Sequence, residues 1–215
     1  MVDFQLETLD SLGEAPAVAV FNAADGSLVA EVNPPIGSAA LSRLVMRARR
    51  RGIEAIWASG NTFSAASFGF RRRRGYAHLR ARSPLATIDA AQPPISLVPE
   101  LQVACFSGVW GHHQPAEEPD PDATYVGLYE SGAWIGICEV DPERNQIESP
   151  GLALPFRSAD RYARLVCDAA SLLAPGVVTL ETWGDSEETL DAYGAIGFEL
   201  VEYVPGWELV VTPLR

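Results

Sequence analysis

A chain of 215 residues, 47% hydrophobic and 20% charged with a formal net charge of −12, can bury one large core or two small ones and reads as globular. Its acidic start, MVDFQLETLD, lacks a basic-then-apolar pattern and no long apolar run follows, so neither a signal peptide nor a membrane span is expected and the cytoplasm is the default compartment. Residues 1–90 carry 11 Arg against 8 acidic residues and residues 91–215 carry 5 against 20, an imbalance that argues against nucleic acid and fits either a cationic ligand or a solvated acidic surface.

In chain order, APAVAVFNAADGSLVAEVNPP predicts a hairpin turned at Asp25-Gly26. Leu41, Leu44, Val45 and Ala48 follow at i, i+3, i+4 and i+7, with Arg43, Arg47 and Arg50 on another face, which predicts an amphipathic helix. A β-rich run then reaches Trp57 and Gly60, Asn61 offers a cap, and a second helix is expected to end at Gly75-Tyr76, with Arg71 to Arg74 complementing its dipole. The Pro-containing stretch from Ala86 to Ser96 reads as a linker. Beyond it come a short strand at Ile95 to Val98, a helix through ELQVACFSGVWGHH, and a hairpin, TYVGLYESGAWIGICEV, turned at Ser131-Gly132. The run NQIESPGLALPF is a strand interrupted at Ser149-Pro150-Gly151, because proline cannot donate to a ladder and glycine tolerates a bulge. A helix on Tyr162, Leu165, Val166, Ala169 and Leu173, a strand to Trp183, a capped helix ending at Gly197-Phe198 and a last strand complete the chain.

The order repeats. Eight residues separate Gly52 from Gly60 and Gly176 from Gly184; each run has a Trp near its end, then Gly, a capping residue and a helix. Cys105, Cys138 and Cys167 lie roughly thirty residues apart and fit neither a metal pair nor a disulfide framework, so they read as buried small hydrophobes. The adjacent His112 and His113 share no helical face, and the acid- and proline-rich HHQPAEEPDPD reads as a loop; no metal is expected.

A hairpin, an interrupted strand, a helix, a strand, and a capped helix bearing Tyr193-x-x-x-Gly197-Phe198 before a last strand resemble the GNAT-type N-acetyltransferase superfamily. IESPGLALPFRSADRYARL and the cap at Asp185-Ser186 carry the same resemblance, which covers residues 95–211 well and 15–82 in part. The expected fold is α/β, two GNAT-like mixed-sheet units: a truncated one over 1–86, a linker over 87–96 and a complete one over 97–215.

The resemblance implies direct transfer of an acetyl or short acyl group from acyl-CoA, with acetyl-CoA as donor substrate, to a primary amine of a small molecule or peptide. The donor's pantetheine arm would pair with the backbone of Leu152, Ala153 and Leu154, past the interruption, in the manner of an added strand. The pyrophosphate would meet Arg157, Ser158, Ala159, Asp160, Arg161, Tyr162 and Ala163 at a helix start, with Ser186 at the next helix. There the chain departs from the family pattern, placing Asp160 and Tyr162 where glycines are expected, although a one-residue slip puts Ala163 at the small position. The first unit has small residues at its own helix start, Gly37 to Ala40, yet carries Arg71 where the resemblance expects tyrosine.

Tyr193 falls at the general acid, a phenol that protonates the departing thiolate, or else packs its ring beneath the sheet. Glu148 is the candidate base for the amine, with Glu139 in reserve. Arg71 to Arg74 have a second reading, a grip on the donor's adenosine phosphate. The alternatives are a non-catalytic GNAT-like protein that binds CoA or a cationic metabolite, or an assembly partner. Neither nucleic acid nor membrane is an expected partner, and a second chain could cover a sheet edge left by the truncated unit, giving a homodimer.

Overall fold

The computed structural model describes residues 18–32, 37–60, 68–82, 90–115 and 118–212. Strands β1 (Val18–Asn22) and β2 (Leu28–Val32) form the first hairpin, with Gly26 at φ 84° where a side chain would be strained. Helix α1 (Ser38–Arg51) buries Leu41, Leu44 and Ala48 and ends on Gly52 in the left-handed conformation. Strand β3 (Ala55–Ser59) follows, then β4 (Arg71–Ala81), α2 (Val98–Phe106), the hairpin β5 (Thr124–Glu130) and β6 (Ala133–Asp141), and β7 (Gln146–Leu152). The chain closes with α3 (Ala159–Ala170), β8 (Val178–Trp183), α4 (Glu187–Ala195) and β9 (Glu199–Val210).

Two expectations differ from these elements, and a third falls largely outside the described residues. The arginines from Arg71 to Arg74 begin strand β4 rather than end a helix: Ala77, Leu79 and Ala81 are buried with period two, and the strand pairs on both sides. The helix expected after Asn61 falls on 61–67, outside the described residues. Ile95–Leu97 is a single 3-10 turn leading into α2, which ends at Phe106 instead of reaching the histidines.

Among the described residues nine strands form one sheet, in the order β1-β2-β3-β9-β4-β8-β7-β6-β5. Two pairs are parallel, β2 with β3 and β7 with β8; the rest are antiparallel. The last strand of the chain, β9, lies between β3 and β4, so strands from the two ends of the sequence interleave at the centre of the sheet.

Alternation along the strands assigns the faces. Ala30, Ile56 and Ala58 pack with the buried side of α1, and Val126, Ile147 and Leu180 pack with Leu165 and Val166 of α3 and Phe198 after α4. The opposite face carries α2 and the loop after it, where Trp110 stands among Phe21, Trp57 and Trp183. Cys105, Cys138 and Cys167 are free and buried. Among the described residues no helix is long and apolar enough to cross a membrane.

Candidate active site

Strands β7 and β8 pair only through Gln146–Thr179, Ile147–Leu180 and Glu148–Glu181. Beyond that point β7 runs on to Leu152 and β8 to Trp183 without a ladder between them. The cause is local: Ser149 takes φ 49°, Pro150 has no N–H to give, and the register against β6 shifts between Ile137 and Glu139. The two strands therefore part, and a cavity of about 260 Å³ opens between them. Pro150 and Gly151 stand on one side, Trp183 to Ser186 on the other, and Ser158, Ala159 and Tyr162 from the start of α3 close the end.

Two helix starts face this cleft. Ser158 occupies the N-cap position of α3 in extended conformation, and Ser186 caps α4 by accepting from the Thr189 N–H at 3.1 Å. The backbone N–H groups of a first helical turn, with the helix dipole behind them, favour an anion. Asp160, in the first turn of α3, is exposed. Arg161 and Arg164 are turned to Glu130, at 3.0 and 3.4 Å. Ala163 is half-buried on the same helix.

Arg157 is engaged by the protein itself. Its Nε donates to the Leu152 carbonyl at 2.9 Å, and Nη2 donates to the carbonyls of Cys105 at 2.9 Å and Ser107 at 3.2 Å. The guanidinium thus ties β7 to the end of α2. The Ala153 N–H donates to Ile135 O at 2.9 Å, and Leu154 projects into solvent, 70% exposed.

Tyr193 on α4 is fully buried. Its hydroxyl donates to Asp185 Oδ2 at 3.1 Å, and the Thr182 hydroxyl donates to the same oxygen. Burial pushes the Asp185 carboxyl up to about 7, opposed by the hydrogen bonds from Thr182 and Tyr193 and by Arg74 and Arg157. Burial and the neighbouring Asp185 raise the Tyr193 phenol well above its ordinary value. Tyr162 is raised by the same two causes, burial first. Of the two hydrogen-bonded groups it is Asp185 that lines the cleft.

Glu148 opens on a second cavity, of about 240 Å³, on the α2 side of the sheet, with Tyr125, Glu139 and Ser149. It lies opposite Glu139 on β6 and Glu181 on β8. Burial raises its pKa, and Glu181 and Asp141 add to the rise; Glu139 is raised by burial and by Glu148. Phe106 and His112 line both this cavity and the cleft, their rings stacked 4.1 Å apart and 9° from parallel, so the pair forms the partition between them. Burial lowers His112 to about 4, which keeps it neutral near neutrality. His113 also lines the second cavity, its ring against that of Phe21 at 3.9 Å.

Sequence reasoning gave Asp185 only a capping role, weighed His112 only as a metal ligand and part of a loop, and did not single out Phe106. Asp185 had a signal, being the first of two adjacent cap-forming residues, and His112 stood in the adjacent histidine pair; Phe106 had none.

The overall fold is similar to that of solved GNAT-type acetyltransferases. A GNAT-family acetyltransferase from Novosphingobium aromaticivorans shares it at 17% identity and TM-score 0.51, over 86% of this chain and 84% of that one. A GCN5-related N-acetyltransferase from Kribbella flavida is similar at 13% identity and TM-score 0.53, over 92% and 88%. A conserved protein of unknown function from Staphylococcus epidermidis matches at 11% identity and TM-score 0.57, over 99% and 96%. No protein-family model matches the sequence, and no curated protein does.

Proposed function

We propose that the protein is an N-acyltransferase that moves an acetyl or short acyl group from acyl-CoA directly to a primary amine. The observation that carries the reading is the cleft where β7 and β8 part, with the starts of α3 and α4 opening on it. In this reading the thioester arm lies along β7 near Leu152, and the phosphates meet the backbone from Ser158 to Ala163 and the α4 start at Ser186. The amine approaches through the acidic cavity, where Glu148, with its raised pKa, takes the proton an ammonium must lose. Attack on the thioester carbonyl forms the new C–N bond, breaks the C–S bond and leaves a thiolate. Asp185, near 7, is a stronger acid than a thiol near 8.5 and can protonate that thiolate, while Tyr193 acts through Asp185 as its hydrogen-bond donor. The chain then consists of two GNAT-like units over 1–86 and 97–215, the second complete, which exchange their last strands.

A second reading, a non-catalytic binder, is favoured by one observation. The Phe106 ring lies directly against Gly151, where its Cδ1 would stand 2.8 Å from an added Cβ, and Arg157 already takes the Leu152 carbonyl. Acetyl-CoA turnover with a panel of amines separates the two. Tyr193→Phe is expected to lower kcat by about 10² with little change in CoA affinity, and to move the basic limb of the pH–rate profile, set by Asp185, to higher pH. CoA binding with no turnover of any amine establishes the second reading; unchanged kcat in the variant removes Tyr193 from the mechanism.

A further inference from the structure

Beside the cleft, and sharing Arg74, Val109, Arg157 and Gly184 with it, lies a larger cavity of about 480 Å³. It spans the α2 face of the sheet from the end of β8 across β4 and β9 to β3. The sequence repeat did not suggest it, because its walls come from both ends of the chain.

Three consecutive residues of one strand, Arg72, Arg73 and Arg74, line it. Regular alternation would send neighbours to opposite faces. Here the register between β4 and β9 shifts between Arg73 and Tyr76, at Gly75, and a bulge of this kind re-aims side chains. Gly75 is required at the bulge: an added Cβ would collide with the Val204 carbonyl and lie 2.6 Å from the Gly206 nitrogen.

Charge at this cavity is opposite in sign to that of the protein. Four arginines line it, against the two carboxylates of Asp25 and Glu208. Both carboxylates are committed. Asp25 accepts from the Ser27 N–H and hydroxyl, and Glu208 accepts from Arg73 and from Trp57 Nε1. Arg157 is held by its three carbonyls. Among the described residues Arg72 and Arg74 have no carboxylate at ion-pair distance, so two guanidiniums remain for a ligand. A neutral donor accompanies them: Trp110, 6% exposed, lines the cavity with its indole Nε1 buried and without an acceptor. A buried N–H left unpaired costs about 1–3 kcal/mol, which an oxyanion accepting from it would recover.

We propose that this cavity binds an oxyanion, a phosphate or carboxylate group, on Arg72 and Arg74 with Trp110 Nε1 as third donor. The group has two sources. If the acyl-CoA reading holds, it is the phosphate end of the donor, held on strand β4 where the α3 loop presents Asp160 and Tyr162 in place of glycine. Otherwise it belongs to a separate anionic ligand, and the site stands without that reading.

Calorimetric titration of inorganic pyrophosphate into the full chain at low ionic strength tests the proposal. Saturable binding is expected, weakened at least tenfold in an Arg72→Gln, Arg74→Gln double variant, whose exposed side chains leave the fold intact. Trp110→Phe is expected to weaken it further without changing the salt dependence. Equal affinity in the native chain and the double variant, or no binding to either, overturns the proposal. A competition arm distinguishes the sources. If CoA displaces pyrophosphate and the double variant loses affinity for CoA but not for pantetheine, the donor's phosphates are the occupant. If CoA fails to bind, or binds together with pyrophosphate, the site serves another anion and the acyl-CoA reading is tested separately by turnover.

Discussion

Asp185→Asn changes one buried oxygen to nitrogen and removes one charge, and its effect on stability depends on pH in a direction the structure fixes. In the folded protein burial holds the carboxyl near 7, whereas in the unfolded chain it returns to about 3.8. Below both values each state carries the proton and the residue contributes nothing to the balance. As pH rises from about 4 to about 7 the unfolded chain releases its proton and the folded protein retains it, so native stability falls across that window. The separation is about three powers of ten in acidity, and at about 1.4 kcal/mol each the loss reaches about 4 kcal/mol above pH 7. Asparagine keeps an oxygen to accept from Thr182 and Tyr193 but exchanges no proton. Urea unfolding at pH 4.5 and pH 8 measures this directly. The variant is expected to exceed the native chain by only about 1 kcal/mol at the lower pH and by about 4 kcal/mol at the higher. Other titrating groups, including Glu139, Glu148 and His112, are common to both chains and cancel in the difference. A difference that stays flat between the two pH values refutes the reasoning.

Gly75→Ala is expected to lose about 3 kcal/mol or more by chemical unfolding, because the new methyl meets backbone atoms of Val204, Pro205 and Gly206 that no rotamer change can clear. The same variant should lose pyrophosphate binding, since the bulge sets the arginines. Arg157→Lys is expected to cost about 2–4 kcal/mol despite keeping the charge. One ammonium cannot span the carbonyls of Leu152, Cys105 and Ser107, and a Tm equal to that of the native chain would contradict that account.

What could be read in the sequence was local. The two hairpins follow from turn chemistry: Gly26 sits at φ 84°, and Ser131 and Gly132 at 51° and 88°. The bulge of β7 against β6 and its parting from β8 follow from Ser149-Pro150-Gly151, and both amphipathic helices follow from their spacing. Strand β4 was obscured because four arginines carry no apolar alternation, and only Ala77, Leu79 and Ala81 betray the period. Its two partners, β8 and β9, lie roughly a hundred residues away or more, and no local pattern encodes such pairing. The site divides the same way. Ser186 could be read as a cap, but the inward turn of Asp185 onto Thr182 and Tyr193 depends on packing. Arg157 looked like a phosphate ligand because a motif places it at a helix start; the unpaired carbonyls after α2 claim it instead.

The interleaved centre of the sheet has a consequence for how the protein is made. A growing chain that has emerged as far as Ala81 holds β3 and β4 with the space between them vacant, and the strand that fills it, Glu199–Val210, follows more than a hundred residues later. The early half must wait, its edges unpaired, for residues 199–210. Completion of the sheet therefore waits on β9, and cutting the chain between β4 and α2 should yield two fragments that recover their structure only when mixed.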